Sequence, residues 1–316
     1  MSAFSRAYIT YFDQRYLAFA IVMLRSLTQH DPDTDIFALC FDEITCKVIS
    51  ELGLLRVFVV STDMIRHFEP RLADFDVHSR KAFYATHKPV LPLYVFNRRP
   101  ELTGVAHIDS DTFFYSSPFP IFAEIGEASI AVSPHRFSEP YENLHIYGQF
   151  NAGFIYWRND AEGRRCLLDY RDDCFEWCEP HVEADGRFMN QGYLTAWPQR
   201  YPGVHIVEHA GANLSWWNVA RHRIAARDAL TVDGMPLIFY HFSSVFRDQF
   251  GVWRTYSELG DDQQFCLQAI YRPYLEEVER IERWLREREP TRVELERGAD
   301  PKGTTWVYRG GGWTGS

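Results

Sequence analysis

Short apolar segments alternate with amphipathic ones over the first 60 residues of the chain. Residues 7–10, 36–41 and 56–60 are apolar runs of strand length. Between them, residues 14–29 and 45–52 carry apolar side chains at helical spacing. Strands that alternate with helices in this way are typical of a parallel doubly wound sheet, which binds its ligands at the carboxyl ends of the strands.

The alternation continues to about residue 250 and then changes. The pattern predicts further strands at 104–108, 129–133, 153–157, 204–207 and 237–240, and further helices at 90–96, 161–178 and 188–196. Beyond residue 261 the apolar positions mark a helix rich in Glu and Arg, and a glycine-containing tail follows it. We therefore expect a main domain over 1–250, a helical extension over 251–298 and a flexible tail over 299–316.

Composition limits the class of protein. A chain of 316 residues with 46% hydrophobic residues can bury a sizeable core. Aromatic residues make up 16% of the chain, a content that favours a Phe-rich core over a set of exposed rings that stack on sugars. The formal net charge of −10 argues against a nucleic-acid binder, because a basic surface is needed to displace counterions from a phosphate backbone.

Cysteine content and hydropathy predict a cytoplasmic protein. The six cysteines form no Cys-x-x-Cys pair, so we interpret them as reduced thiols. The N-terminal segment lacks the basic and apolar regions of a signal peptide, and no apolar run reaches 18 residues. We expect no transmembrane segment, while the C-terminal helix and tail leave peripheral contact with a membrane surface as an open alternative.

Two carboxylates follow the predicted strand 104–108 directly. Asp109 and Asp111 flank Ser110 at the point where this strand would open into a ligand crevice. Two oxygen ligands there can hold a divalent cation, and the cation can hold a diphosphate. Two alternatives stay open, a structural turn at the strand end and the Asp-x-Asp-x-Thr motif of haloacid-dehalogenase-type phosphatases. The phosphatase motif fits poorly, because Phe113 occupies the position of its threonine.

His241 is a candidate third metal ligand. It follows the predicted strand 237–240 directly. A single histidine at the end of an apolar strand often serves only in packing or capping, and this alternative stays open. An imidazole beside two carboxylates suits Mn²⁺ better than Mg²⁺, so Mn²⁺ is the expected cofactor and Mg²⁺ is the alternative.

Two further segments carry amide side chains next to small residues. Asn151 precedes Ala152 and Gly153 at the start of a predicted strand, where small side chains let a ligand approach the backbone closely. A plain turn into the strand is the alternative interpretation. Asn190 and Gln191 lie near the start of a predicted short helix, where Asn190 could instead act as an N-cap.

The order of these segments resembles that of the GT-A fold glycosyltransferases. The segment from Thr10 to Tyr16, the Asp-Ser-Asp run, the two amide segments and His241 follow one another as in the group that contains glycogenin and the bacterial lipopolysaccharide galactosyl- and glucosyltransferases. The resemblance covers roughly residues 5–245. It implies an α/β fold with a mixed Rossmann-like sheet flanked by helices, and a hexosyltransferase whose donor is a nucleoside diphosphate sugar, with a UDP-sugar expected.

The resemblance also implies a role for each matching residue. Asp109, Asp111 and His241 would bind the metal, and Gln191 with Asn190 would lie at the reacting centre. The residues implied to contact the donor are Thr10 and Tyr16 near the base, Asp109 at the ribose, Lys88 (or Arg80 or Lys81) at the diphosphate, and Ser110, Asn151, Ala152 and Gly153 along the rest of it. Ordinary surface ion pairs are the alternative for the three cations.

Two features depart from the family pattern. The family usually has aspartate where this chain has Asn190, so a hydrogen-bonding group is kept but a negative charge is absent. The residues after His241 lack the glycine and the Lys-Pro-Trp run of the family, so the diphosphate must be held differently.

The stereochemical course and the functional class are open at this level. Family likeness favours retention with Gln191 near the reacting face, whereas inversion needs a carboxylate base, for which Asp185 or Glu183 could serve. The alternative class is a non-catalytic binder of nucleotide sugars or glycans. The acceptor could be a glycan, a lipid-linked sugar or a protein, and residues 134–149 and 214–218 are candidate walls of its site.

Overall fold

A mixed seven-stranded sheet lies at the centre of the chain. The computed structural model describes residues 5–74, 79–248, 251–256, 263–289, 305–309 and 312–315. The strands are β1 (Arg6–Phe12), β2 (Asp35–Cys40), β3 (Val57–Ser61), β4 (Gly104–Ile108), β5 (Thr112–Phe114), β6 (Ile130–Pro134), β7 (Phe150–Arg158), β8 (Val204–Ile206), β9 (Ile224–Ala226), β10 (Leu230–Val232), β11 (Met235–Pro236), β12 (Phe239–His241), β13 (Phe246–Arg247), β14 (Trp253–Tyr256), β15 (Thr305–Arg309) and β16 (Gly312–Gly315). The helices are α1 (Leu17–His30), α2 (Glu43–Glu51), α3 (Thr62–Phe68), α4 (Arg71–Asp74), α5 (Arg80–Arg98), α6 (Phe119–Ile125), α7 (Ala161–Glu176), α8 (Trp197–Arg200), α9 (Gln263–Cys266) and α10 (Arg272–Arg288).

The strand order brings several carboxyl ends to one edge of the sheet. The order is β3-β2-β1-β4-β7-β6-β8. Strands β3, β2, β1 and β4 are parallel, whereas β7 is antiparallel to both of its neighbours. The α/β fold with a mixed sheet flanked by helices is therefore confirmed, and the ends of β1 and β4 lie side by side, where ligands bind in such sheets.

Helices cover both faces of this sheet. On one face, Leu24 of α1 and Leu275 of α10 belong to one buried apolar cluster. On the other face, Val90 of α5 and Leu167 of α7 belong to a second one. Because apolar side chains are buried on both sides, the central parallel strands are apolar along nearly their whole length.

Helix α5 is longer than the apolar run at 90–96 predicts. It begins at Arg80, where the Ser79 hydroxyl accepts a hydrogen bond from the Ala82 amide (3.0 Å), and it continues through two prolines to Arg98. The first half of the helix contains several polar residues, so the apolar run that predicted the helix covers only part of its second half. The consequence is that Lys88 lies on a helix, buried, beside the end of β4.

Strand β7 begins earlier than the sequence predicts. Asn151 and Ala152 belong to it, and Asn151 lies opposite Ser133 after a register shift between Val132 and Ser133 of β6. The interpretation as a turn before residue 153 is therefore wrong. The shift changes the register of the β6–β7 pairing close to the carboxyl end of β4.

The C-terminal part adds a helix and a small antiparallel sheet. Helix α10 packs against α1, and β13-β14-β15-β16 form a four-stranded sheet. Strands β15 and β16 lie within the predicted tail, and β15 pairs with β14. Residues 299–304 of that tail lie outside the described ranges. Within the described ranges, no helix combines the length and the apolarity that crossing a membrane requires.

Candidate active site

A cavity of about 540 Å³ opens where β1 and β4 end. Residues from seven separate segments of the chain meet there. The sequence-predicted residues that line it are Tyr16, Lys88, Asp109, Ser110, Asp111, Asn151, Ala152, Asn190, Gln191 and His241, together with the alternatives Arg80 and Lys81.

Three potential metal ligands converge on one side of this cavity. Asp109-Ser110-Asp111 forms the turn between β4 and β5, and β5 pairs with β12, so that His241 lies opposite Thr112. The imidazole Nε2 of His241 lies 3.1 Å from Asp111 Oδ1 and 3.8 Å from Asp109 Oδ2. One ligand atom from each of the three residues lies within 4.8 Å of the others. Asp109, Asp111 and His241 are therefore close enough to hold one cation together.

The surroundings hold His241 in place. Its backbone amide donates to Leu214 O (2.7 Å), and its carbonyl accepts from the Ser215 hydroxyl (2.6 Å). Gly153 lies directly behind the imidazole, and a Cβ on Gly153 would lie 2.6 Å from His241 Cε1. Two carboxylates and a positioned imidazole fit a divalent metal that accepts oxygen and nitrogen ligands.

Asp109 is charged and held from inside the protein. Burial alone would raise the pKa of its carboxyl, but Lys88 and a hydrogen bond from His107 outweigh burial and hold that pKa well below its usual value. Lys88 Nζ lies 2.9 Å and His107 Nε2 lies 2.8 Å from Asp109 Oδ1. Burial lowers the pKa of His107 to about 4, and Lys88 acts in the same direction, so His107 is neutral.

The pKa of His241 is shifted in the opposite direction to that of His107. Burial lowers the pKa of His241, but the carboxylates of Asp111 and Asp109 outweigh burial and raise it above its usual value. When Nε2 carries a proton, it donates to Asp111 Oδ1 at 3.1 Å. A divalent cation would take the place of that proton.

A network of amides fixes Gln191. Its Oε1 accepts hydrogen bonds from the Ala152 amide (3.1 Å) and from Asn151 Nδ2 (3.3 Å), and its Nε2 donates to Tyr147 O (2.9 Å). Asn151 also donates to His135 Nε2 (3.3 Å) and accepts from the Gly153 amide at 2.9 Å. Asn151 is therefore occupied with protein partners, and it acts on the cavity by orienting Gln191.

Asn190 lines the cavity but also binds a neighbouring helix. The side chain is buried, and its Nδ2 donates to Ala85 O of α5 at 3.3 Å. A carbonyl accepts hydrogen bonds only, so this contact requires a donor at position 190. The amide that departs from the family pattern thus has a structural partner in this chain.

The structure does not bring three predicted residues to the cavity wall. Thr10 is buried within β1, two residues before the strand ends, and Tyr11 and Phe12 line the cavity instead. Gly153 lies behind His241. Asp185 lies in a separate surface hollow, where it pairs with Arg187 at 2.8 Å. The prediction that Thr10, Gly153 and Asp185 line the site is thus corrected, because none of the three is among the residues that line this cavity.

Sequence reasoning missed a further group of residues that line the cavity. Asp13 Oδ2 accepts hydrogen bonds from the Tyr84 hydroxyl (2.6 Å) and Arg15 Nη2 (3.0 Å), and the ring of Phe41 lies 4.7 Å from that of Tyr84. Burial and the hydrogen bond to Asp13 raise the pKa of Tyr84 to about 12, so it is a hydrogen-bond donor. Asp13 directly follows the end of β1, and Arg15 lies two residues later. A position at the carboxyl end of a strand in such a sheet is a sequence signal that could have identified both residues.

The paired tryptophans are not exposed sugar-stacking faces. Trp216 and Trp217 are buried, Trp216 packs edge-on against Tyr141, and Trp217 packs edge-on against His241. The candidate acceptor wall at 214–218 is therefore wrong as far as these two rings are concerned. They support the segment 139–147 and the imidazole from behind.

Two proteins of Bacillus subtilis (strain 168) are similar to the chain in sequence. The uncharacterized protein YfnF is 34% identical over 246 residues, which are 75% of this chain and 80% of YfnF. The uncharacterized protein YfnD is 29% identical over 290 residues, which are 89% of this chain and 90% of YfnD. No protein-family model matches the chain.

Solved structures are similar to the chain in fold. The galactosyltransferase LgtC in complex with donor and acceptor sugar analogues has a TM-score of 0.54 and 17% identity, and the match covers 87% of this chain and 95% of LgtC. An active-site mutant of LgtC, in which glutamate replaces glutamine, has a TM-score of 0.52 and 17% identity, and covers 75% of this chain and 87% of that one. These likenesses show that the chain has the GT-A fold.

Proposed function

This chain belongs to one family with YfnF and YfnD and has the GT-A fold, and we propose that it is a metal-dependent glycosyltransferase. The expected reaction moves a hexose from a nucleoside diphosphate sugar, with a UDP-sugar the first choice, to an acceptor glycan, lipid-linked sugar or protein. The observation that carries the proposal is the convergence of Asp109, Asp111 and His241 at the carboxyl end of β4. The three side chains line a cavity of about 540 Å³, large enough for such a donor.

The ligand set favours Mn²⁺ as the cation, with Mg²⁺ as the alternative. Mg²⁺ prefers oxygen ligands in near-ideal octahedra, whereas Mn²⁺ more readily accepts an imidazole beside carboxylates. When bound, the cation would neutralise negative charge on the departing diphosphate. Asp109, Asp111 and His241 would hold the cation next to the expected position of the diphosphate.

The aromatic part of the cavity wall suits the nucleoside. Tyr11, Phe41 and Tyr84 supply aromatic surface for a base, and Asp13 supplies a buried carboxylate that can accept hydrogen bonds. Tyr16 completes this wall, as the resemblance implies.

The diphosphate is a better match for the N-terminus of α5 than for Lys88. Lys88 is committed to Asp109 and to Ala152 O, and only 3% of its side chain is exposed. Arg80 and Lys81 line the cavity at the start of the helix and carry positive charge there. We assign the diphosphate contact to these two cations.

Retention is the expected stereochemical course. Gln191 lines the cavity with a carboxamide that three hydrogen bonds hold in one orientation. The carboxylates among the described cavity residues are Asp13, which is bound to Arg15 and Tyr84, and the two metal-binding aspartates. The described residues that line the cavity therefore include no further carboxylate that could serve as the base of an inverting reaction. Asp185 lies outside the cavity.

A donor panel tests the proposal directly. The full chain is incubated with UDP-, GDP- and dTDP-sugars in Mn²⁺, Mg²⁺ or EDTA, and nucleoside diphosphate release is measured by chromatography. We expect release with UDP-sugars that requires the cation. Stabilisation by UDP and Mn²⁺ without any product would instead identify a non-catalytic binder, and full activity in EDTA would contradict the metal role.

A further inference from the structure

Two buried donors bind the same oxygen of Asp109. His107 Nε2 lies 2.8 Å and Lys88 Nζ 2.9 Å from Oδ1 of this carboxylate. The other oxygen, Oδ2, lies 3.8 Å from His241 Nε2, on the side of the candidate metal ligands. The two oxygens of Asp109 therefore face different partners.

The position of His107 is set by the central sheet. His107 lies in β4 between β1 and β7, opposite Ile9 and Ile155, and only 1% of it is exposed. Residues at i and i+2 of a strand point to the same side, so the imidazole lies beside the carboxylate of Asp109. Because β4 is paired on both sides, the backbone that carries the imidazole is fixed next to Asp109.

The proton of His107 can be assigned from its contacts. An ionised carboxylate accepts hydrogen bonds only, so Nε2 must be the nitrogen that carries the hydrogen. Nδ1 is buried and has no hydrogen-bond partner among the described residues. The contact with Asp109 is thus the one hydrogen bond of this ring within the described part of the chain.

Lys88 fixes the same oxygen from the helix side. Its ammonium group also donates to Ala152 O at 2.7 Å and lies 5.5 Å from the ring centre of Tyr11. These contacts connect α5, β7 and the end of β4 around one carboxylate oxygen. The carboxylate is consequently held against rotation by donors from two different elements.

We infer that His107 is a positioning residue which, together with Lys88, occupies Oδ1 of Asp109 and leaves the single oxygen Oδ2 for the cation. This inference rests on the proposed metal site. A hydrogen bond that fixes a ligating carboxylate typically changes metal affinity by about 10- to 100-fold when it is removed. Loss of the His107 N–H would let the carboxylate rotate and would weaken cation binding by that order.

Direct measurement of Mn²⁺ binding tests the inference without any turnover. The full chain is titrated with Mn²⁺, and free Mn²⁺ is followed by electron paramagnetic resonance, for the wild type and for His107→Leu and His107→Gln. Leucine removes the donor at similar volume, while the glutamine amide can place an N–H near the position of Nε2. We expect a Kd about 10- to 100-fold higher for His107→Leu and a largely restored Kd for His107→Gln.

The controls separate this inference from the proposed function. Asp111→Asn reports on the site itself, and circular dichroism with thermal unfolding reports on folding. If the wild type and Asp111→Asn both fail to bind Mn²⁺, the proposed metal site and this inference are both wrong. If Asp111→Asn loses Mn²⁺ but His107→Leu binds it like the wild type, the inference alone is overturned.

Two further outcomes decide the role of the N–H. Equal weakening in the leucine and glutamine variants would show that the ring packs rather than orients Asp109, and would also overturn the inference. If His107→Leu does not fold, His107→Phe replaces it, because it keeps an aromatic ring beside Tyr11, whose ring centre lies 5.3 Å from that of His107. The comparison with His107→Gln then stands unchanged.

Discussion

Thr112 and His241 lie opposite each other in the antiparallel pair of β5 and β12. Thr112 directly follows Asp111, so this pairing carries an imidazole from far along the chain to the two carboxylates. The site is therefore assembled by backbone pairing rather than by a mobile loop. It follows that conservative changes in the ligands should alter cation binding without unfolding the protein.

Asp111→Asn is expected to abolish metal-dependent turnover of the donor. The amide keeps the size of the side chain but removes the negative charge that faces His241 and that would face the cation. We expect a loss of more than about 100-fold in kcat/KM, measured as nucleoside diphosphate release in Mn²⁺. Circular dichroism should show an unchanged fold.

Asp228→Asn is the matched control for this substitution, because Asp228 is exposed and is not among the residues that line the cavity. It removes the same charge without touching the site. A similar loss of turnover in the control would point to a general electrostatic effect, and unchanged turnover in Asp111→Asn would reject the metal role of Asp111.

Gly153→Ala should displace His241. The added Cβ would lie 2.6 Å from both His241 Cε1 and Asn151 Oδ1, so the imidazole or the amide must move. We expect a weaker affinity for Mn²⁺ and a loss of about 1–3 kcal/mol in the free energy of unfolding. Manganese titration and urea unfolding measure the two effects.

Gly234→Ala is the control for the glycine substitution. Its Cβ would meet no atom within 4 Å, but its backbone has a φ of +83°. Strain at positive φ should destabilise the fold by about 1 kcal/mol and leave manganese affinity unchanged. Equal manganese affinity in both alanine variants would contradict the role we assign to Gly153.

Part of this site follows from the sequence, and the reason is local. Asp109 and Asp111 come directly after an apolar strand, and the end of a strand in such a sheet is a ligand position. The prediction for His241 required only that β12, the strand that ends at His241, lie close to the end of β4. Each of these residues is marked by its own neighbours in the chain.

The remainder of the site depends on tertiary contacts that no local pattern marks. The pairing of Lys88 with Asp109 and of Tyr84 with Asp13 requires the packing of α5 beside the strand ends. Thr10 was excluded by where β1 ends, two residues later than the prediction. Asp185 lies in an irregular segment between α7 and residue 192, where periodicity gives no direction to a side chain.

Gln191→Ala and Asp185→Asn should differ sharply in their effects on turnover. Gln191 lines the cavity, whereas Asp185 pairs with Arg187 outside it. We expect Gln191→Ala to lower kcat by on the order of 100-fold and Asp185→Asn to leave it near the wild-type value. Steady-state kinetics with the active donor decide this, and proton NMR of the first product shows whether the anomeric configuration is retained.

A large loss of turnover in Asp185→Asn, together with an inverted product, would restore the carboxylate as a candidate base. It would then require the surface hollow that contains Asp185 to close on the cavity during the reaction. Retention with normal activity in this variant would support the assignment of Gln191.

Asn190→Asp is expected to destabilise the protein at neutral pH. The carboxylate would face Ala85 O, which needs a donor, so a buried hydrogen bond would be lost at a cost of about 1–3 kcal/mol. Burial would raise the pKa of the new carboxyl, and its protonated form can donate to the carbonyl. Because the folded state then binds this proton more tightly than the unfolded state does, the loss in free energy of unfolding relative to the wild type should shrink as the pH falls toward 5.

Urea unfolding of the wild type, Asn190→Asp and Asn190→Ala at several pH values checks this prediction. The alanine variant lacks the hydrogen bond but does not titrate, so its deficit should stay constant with pH. A stable aspartate variant at pH 7 would show that position 190 tolerates the charge that the family pattern carries, contrary to the contact with Ala85.

His87 should make the stability of the fold fall on acidification. The ring is fully buried in α5, its Nδ1 donates to Phe83 O (2.7 Å), and burial lowers its pKa from 6.5 to about 4. In the unfolded chain the same group is protonated below about pH 6.5. Between these two values the unfolded state binds more protons, so stability is complete above pH 6.5 and is lost as the pH falls toward 4.

The comparison of the wild type with His87→Asn isolates this contribution. Asparagine keeps an N–H near the position of Nδ1 but does not titrate, so the variant should lose less stability between pH 6.5 and 4, by roughly 1.4 kcal/mol per pH unit and at most about 3 kcal/mol. Urea unfolding at half-unit pH steps measures both slopes, and the other buried histidines contribute equally to each protein. Parallel pH profiles for the two proteins would mean that His87 does not titrate differently in the folded state.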